Sequence, residues 1–274
     1  MPRLPRALFA LPLLALLTAC ATLPANHTPD PRDPLERVNR GTFAFNQTLD
    51  KAVLRPVVRG YKKVTPKFVR TGISNFFSNA EYPVVMVNNL LQAKFGPAAN
   101  DLGRFLLNTT LGIGGLLDPA TAAGFDRNNE DFGQTLGRWG VAPGPYLMVP
   151  LLGPYTLRDG IGSLADDFAE PRHYLEDDST RYALWAAGQL DRRAGLSETD
   201  AIIDRAGDPY AFVRSAYLQR RQYLVTDGAV TDELPFEDPL EEEDPPAEDS
   251  APETPPRQPE PVEGIAGDTP IPPQ

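Results

Sequence analysis

The sequence predicts a mainly α, single-domain body held at a membrane by a lipid. Three observations carry this reading. Residues 1–20 form an export signal that closes on the sole cysteine. Apolar residues recur at helical spacing through the body while strand alternation is almost absent, and the segment 98–111 is apolar around most of its circumference.

In the signal, Arg3 and Arg6 precede the apolar run Ala7 to Leu17, and Leu17-Thr18-Ala19-Cys20 closes it with small residues. The run is too short to span a bilayer and ends in a cleavage pattern, so it reads as a bacterial lipoprotein signal cut before Cys20. Residues 1–19 are the signal peptide, and 20–32 are a linker whose first residue carries the lipid. One cysteine leaves no partner for a structural disulfide, and no Cys/His spacing suggests zinc, so neither metal nor cofactor is predicted. Ala21 rather than Asp after the anchor directs the chain, in a Gram-negative host, to the outer membrane.

The net charge of −11 is unevenly held: residues 228–274 contain fourteen Asp/Glu against Arg257, together with twelve prolines. Such a tail cannot bury enough apolar surface to offset ordering and is expected to be disordered, as is the linker from Thr22 to Arg32. It serves either solubility or docking to a basic partner. The body, 33–227, is long enough for one sizeable core. Its first part is basic, with twelve Lys/Arg against five Asp/Glu over 32–104. In an exported, tethered protein that surface suits lipid phosphates or plain solvation, and not nucleic acid.

Four dipeptides announce helix starts: Asp33-Pro34, Thr65-Pro66, Asp118-Pro119 and Asp208-Pro209. In each, the first residue can cap free amides and the proline loses nothing by lacking an N–H. Glu36 adds capping-box spacing to the first. Leu35, Val38, Thr42, Phe45 and Leu49 continue that helix, and Val69, Ile73, Phe76 and Phe77 continue the second. Further helices are predicted at 82–95, 98–111, 181–195 and 209–225.

The 98–111 helix inverts the usual pattern of a soluble helix. Asp101, Arg104 and Asn108 form a narrow polar stripe at i, i+3 and i+7, while Leu102, Phe105, Leu106, Leu107 and Leu111 fill the remainder. The stripe either pairs inside a core or lines a polar passage through a membrane-embedded body. From Gly112 to Gly160, ten glycines and five prolines break any long helix. Within that stretch Tyr146, Leu147, Leu151 and Tyr155 belong to an apolar run, 146–155, too short to span. It suits an interfacial segment with its tyrosines at headgroup level, or a buried hairpin.

Catalytic chemistry is not indicated. The only histidines are His27 and His173, no Gly-x-Ser-x-Gly elbow surrounds a serine, and no phosphate-binding loop or dinucleotide fingerprint is present. The cluster Asp126 to Asp131 lacks the glycine and the bidentate glutamate of a calcium loop and reads as a polar turn. The pairs Asp166-Asp167 and Asp177-Asp178 read as solvated.

Five ordered blocks resemble the MlaA (VacJ) family of outer-membrane lipoproteins. They are Asp33-Pro34-Leu35-Glu36-Arg37-Val38-Asn39-Arg40, Leu106 through Gly115, Phe132-Gly133-Gln134-Thr135-Leu136-Gly137, Gly144-Pro145-Tyr146 through Asp159, and Asp208-Pro209-Tyr210 with Arg214, Tyr217 and Gln219. The resemblance implies a ring of amphipathic helices lying in the inner leaflet of the outer membrane around a polar channel. It implies removal of phospholipids mislocalised to the outer leaflet, their passage to a soluble periplasmic carrier (MlaC) serving an inner-membrane ATP-driven complex, and contact with a trimeric porin. It also places Phe45 and Asn46 in the family's gating segment, although this chain keeps one Phe-Asn pair where the family commonly repeats such units. On that picture Asp101, Arg104 and Asn108 line the channel. Two other readings use the same residues: a structural porin-associated lipoprotein without transport, and a lipid-modifying enzyme, for which no nucleophile or metal site is evident.

Overall fold

Helix α1 (Glu36–Leu49) opens the computed structural model, which describes residues 29–229. The signal 1–19, the anchor Cys20, the linker before residue 29 and the tail from 230 lie outside the described residues. Helix α1 does not stop at Leu49. It widens into a π turn, Asp50–Leu54, and continues as α2 (Arg55–Val64). The widened turn is held by Asp50, which accepts from Arg55 Nε at 2.9 Å and from Arg193 Nε at 2.6 Å. Apolar spacing carries no trace of that long-range clamp.

Thr65 is extended, as a residue before proline prefers, and the chain turns into α3 (Lys67–Leu91). The two helices expected here, after Thr65 and over 82–95, are one. Pro83 lies inside α3 and removes one ladder bond, yet Val84, Val85, Asn88 and Asn89 just beyond it are buried. Burial of that face outweighs the local break. A short turn with Ala93 in the left-handed region leads into α4 (Phe95–Thr110), packed along α3 as a helical hairpin.

The glycine-rich stretch up to Thr156 holds α5 (Pro119–Ala122), α6 (Phe132–Arg138) and a hairpin of β1 (Tyr146–Val149) and β2 (Gly153–Thr156). The strands are antiparallel, with Tyr146 opposite Thr156 and Val149 opposite Gly153. Four further helices follow: α7 (Leu157–Ala169), α8 (Asp178–Gly195), α9 (Asp200–Arg205) and α10 (Pro209–Val225). Helices α6 and α7 meet at two glycines. A Cβ on Gly162 would lie 2.3 Å from the backbone nitrogen of Gly133, so only glycine allows that approach.

Two of the four proline dipeptides cap as expected: Asp118 accepts from Thr121 N, and Asp208 from Tyr210 N and Ala211 N. Thr65 and Asp33 do not cap with their side chains. The Asp33 carboxylate accepts instead from Asn39 Nδ2 on α1 (2.7 Å) and, from across the molecule, from the Tyr210 hydroxyl and Arg214 (3.0 Å). The end of the linker is likewise ordered rather than loose: the Arg32 carbonyl accepts from Tyr146 N at 2.8 Å, and Arg32 pairs with Asp30.

The distribution of polarity is inverted. Among the described residues seventeen buried side chains are polar or charged and ten are apolar, while Phe95, Leu102, Leu106, Leu111, Leu151 and many other large apolar residues face outward. Exposed apolar residues are common singly, but not around an interior this polar. No helix among the described residues is long and apolar enough to cross a membrane.

Candidate functional site

The stripe on α4 turns inward. Asp101, Arg104 and Asn108 are buried, Arg104 to 1% exposure, and Leu102 and Leu106 of the same helix look outward. Asp101 and Arg104 do not pair with each other. Asp101 accepts from Asn89 Nδ2 of α3 (2.7 Å) and Asn128 Nδ2 of the loop before α6 (2.8 Å). Arg104 donates to the Tyr82 hydroxyl of α3 (2.6 Å), the Phe125 carbonyl, Asp118 (2.8 and 3.0 Å) and Thr121 (3.1 Å). Asn108 donates to Asp118 (3.0 Å) and accepts from Ala120 N (3.1 Å). The three residues thus form a seam tying α3, α4, α5 and the following loop. Arg104 and Asn108 also border a narrow crevice shared with Asn75, Ser78, Tyr82 and Arg127.

Electrostatics within the seam differ by site. Burial pushes the Asp101 carboxyl above the usual range, and the hydrogen bonds from Asn128 and Asn89 oppose this only in part. Burial acts in the same sense on Asp118, but there hydrogen bonds from Thr121, Arg127 and Asn108 win and hold the carboxyl well below that range.

A second network was not evident from the sequence. Thr135 donates to Asn88 Oδ1 (2.8 Å) and accepts from Gln92 Nε2 (3.1 Å), which also reaches Glu130 (2.9 Å). Asp166, expected to be solvated, accepts from Asn88 Nδ2 (3.0 Å) and Phe132 N (2.9 Å), and its carboxyl is pushed up, chiefly by burial. Asp177 caps α8 through Thr180 N. The signal was present in Val84 to Gln92, where two asparagines and a glutamine interrupt an otherwise apolar face. The turn 126–131 is polar as expected, and Asp131 binds Arg221 at 2.6 and 3.0 Å.

The proposed gate and the proposed interfacial segment come together. Asn46 donates to the Val149 carbonyl (3.0 Å) and accepts from Leu151 N (2.8 Å), while Asn39 donates to the Tyr146 carbonyl (3.0 Å) and accepts from Met148 N (2.8 Å). Phe45 is half-buried. The segment is a hairpin, and one expectation for it fails: Tyr146 does not sit at an interface. It is 0% exposed, with its ring 6.3 Å from Tyr210 and 6.0 Å from Tyr217. Alternation within β1 turns it to the core. Leu147 and Tyr155 are half-buried, and Leu151 at the tip is 65% exposed.

Between α3 and α8 lies a cleft of about 240 Å³ walled by Phe76, Phe77, Leu184 and Trp185, with Arg172 and Arg192 at its rim. Both rim cations are paired, Arg172 with Asp167 and Glu170, and Arg192 with Glu81.

A helical protein with its polar groups sewn together inside and its apolar groups arrayed outside belongs to the class that meets lipid rather than water on its faces. The model of the MlaA lipoprotein family matches residues 31–224, and the chain belongs to that family. It is 38% identical over 200 residues to the intermembrane phospholipid transport system lipoprotein MlaA of Escherichia coli K12, covering 72% of this chain and 79% of that one. An uncharacterized protein of Rickettsia prowazekii is 38% identical over 195 residues, covering 70% and 78% of the two chains. A structure solved in work on the structural basis for maintenance of bacterial outer membrane lipid asymmetry is 40% identical, with a TM-score of 0.65, covering 70% of this chain and 98% of that one.

Proposed function

We propose that this protein is an outer-membrane lipoprotein of phospholipid transport. It withdraws phospholipids mislocalised to the outer leaflet and passes them to a soluble periplasmic carrier, so maintaining the lipid asymmetry of the membrane. The observation that carries the reading is the inverted body: Asp101, Arg104 and Asn108 inside, Leu102, Leu106 and Leu111 outside. The names of its relatives, which concern intermembrane phospholipid transport, support the substrate class.

In this reading Cys20 bears the lipid and the body lies in the inner leaflet of the outer membrane, as a ring beside a trimeric porin. Moving a headgroup through hydrocarbon costs about 4 to 8 kcal/mol per unpaired polar group. Asp101, Arg104 and Asn108, buried and bonded to their neighbours, hold together the polar wall of the route that lowers this cost. Phe45, Asn46 and the hairpin form its gate, which the double hold of Asn46 on the hairpin tip supports. In this reading direction is set downstream, by the affinity of the carrier.

The test is mass spectrometry of lipid copurifying with the full chain, combined with outer-leaflet phospholipid measured in cells with and without the gene. Transport predicts bound phospholipid and its build-up in the outer leaflet when the gene is lost. Neither would appear for a purely structural, porin-associated lipoprotein.

A further inference from the structure

Between Asp50 and Glu81 the chain carries seven Lys/Arg and no acidic side chain. Three of these cations are engaged: Arg55 is held by Asp50 and Asp204, Lys62 by Ser197, and Lys51 by Asp204. Arg59, Lys63, Lys67 and Arg70 meet no carboxylate among the described residues, and the first three are exposed. They surround the corner where α2 hands over to α3, and at that corner Val64 and Phe68 are each 78% exposed. The opposite side of α2 is the one that packs, through Val58.

We infer that this corner is a binding surface for the anionic headgroup layer of a bilayer: Val64 and Phe68 enter the acyl boundary while Arg59, Lys63, Lys67 and Arg70 engage lipid phosphates. Charge alone would suit an acidic polypeptide as well, including the chain's own tail with its fourteen Asp/Glu. The two large apolar side chains decide against it, because a proline-rich acidic segment offers them little hydrocarbon, whereas a bilayer supplies hydrocarbon and phosphate at the right depths. The inference rests on residence at a membrane, part of the proposed function, and not on transport. It adds a preference among lipids and a fixed contact edge for the body.

The experiment is flotation of the full chain, added from dilute detergent, with vesicles of phosphatidylethanolamine and phosphatidylglycerol (4:1) or of phosphatidylcholine alone. The wild type is expected to prefer the anionic vesicles at low salt and to lose that preference at high salt. The triple variant Arg59→Gln, Lys63→Gln, Lys67→Gln should bind neutral vesicles as before and lose about a hundredfold on anionic ones, at about fivefold per cation. Phe68→Ser should weaken binding to both vesicle types, with the helical circular-dichroism signal unchanged. An anionic preference that survives the triple substitution overturns the inference. So does competition by a soluble glutamate-rich peptide that is as effective as anionic vesicles, which would identify an acidic polypeptide as the occupant. Because transport is not read out, failure here leaves the proposed function standing.

Discussion

Asn39 and Asn46 stand seven residues apart on one face of α1, and each grips the same hairpin with both ends of its amide. One holds Tyr146 and Met148, the other Val149 and Leu151. The spacing of two helical turns matches the advance along the hairpin, so α1 acts as a rail to which β1 is pinned at two points.

The outer pin controls the tip. Asn46→Ala removes one donor and one acceptor and is expected to cost about 1 to 3 kcal/mol locally. The Leu151 amide should exchange with deuterium markedly faster, while the global melt moves less than for Asn39→Ala, whose pin is buried. If the hairpin gates lipid passage, Asn46→Ala also alters outer-leaflet phospholipid at matched protein level. Unchanged exchange at Leu151 would show that the tip is held by something else.

Of the three stripe residues Arg104 makes the most hydrogen bonds, and Arg104→Leu leaves Asp118, Tyr82 and Thr121 short of a donor. Removing one member of such a buried set should cost about 3 to 5 kcal/mol. The expected result is a lowered melting temperature in detergent and a reduced level in cells. A wild-type melt, with a cysteine placed at 104 reacting freely with water-soluble reagent, would mean that the seam stands open.

Gly162→Ala tests the crossing of α6 and α7. Its Cβ would collide with the backbone of Gly133, which cannot swing aside as a side chain can, so the helices must separate. A loss of about 1 to 3 kcal/mol is expected from overpacking. Gly160→Ala, on the same helix with open space around it, is the matched control and should be nearly neutral.

Acid should act in two opposed steps. Asp131 is pushed up by burial but brought below the usual range by Arg221, and Asp159 is likewise lowered. A depressed carboxyl contributes stability that is complete above its unfolded value of about 3.9 and fades as pH falls through the folded value. Asp101 and Asp166 have raised values, so their protonation relieves a cost as pH falls from neutrality. The melting temperature is therefore expected to hold or rise slightly down to about pH 5 and to drop below about pH 4. Asp131→Asn should lower stability at neutral pH and flatten the acid drop; an equally steep drop would assign the acid loss to other carboxylates.

Much of the fold was legible where local chemistry decides. The range of α10 and its Asp208 cap follow from a proline dipeptide and apolar spacing, and the stripe on α4 was visible as three polar residues in a leucine-rich run. What escaped depends on distant partners. Asp33 has every local mark of a cap, yet Tyr210 and Arg214 take it from almost the far end of the described chain. Pro83 has every mark of a break, yet the buried face beyond it keeps α3 whole. Tyr146 shares its composition with interfacial tyrosines; only the strand register shows that it points inward.

The inverted interior has a calorimetric consequence. Ordinary unfolding raises heat capacity by about 12 to 15 cal/mol/K per residue, because apolar surface hidden in the fold newly meets water. Here the large apolar side chains lie mostly on the outside, already solvated by whatever hydrocarbon surrounds the protein, and the groups released from the interior are amides, carboxylates and guanidiniums, whose hydration lowers heat capacity. Unfolded from detergent, this chain should show a far smaller increment than a water-soluble domain of its size, and hence a nearly straight stability curve with no accessible cold denaturation. Its fold is selected by the solvent on its outside, and water alone gives it little reason to close.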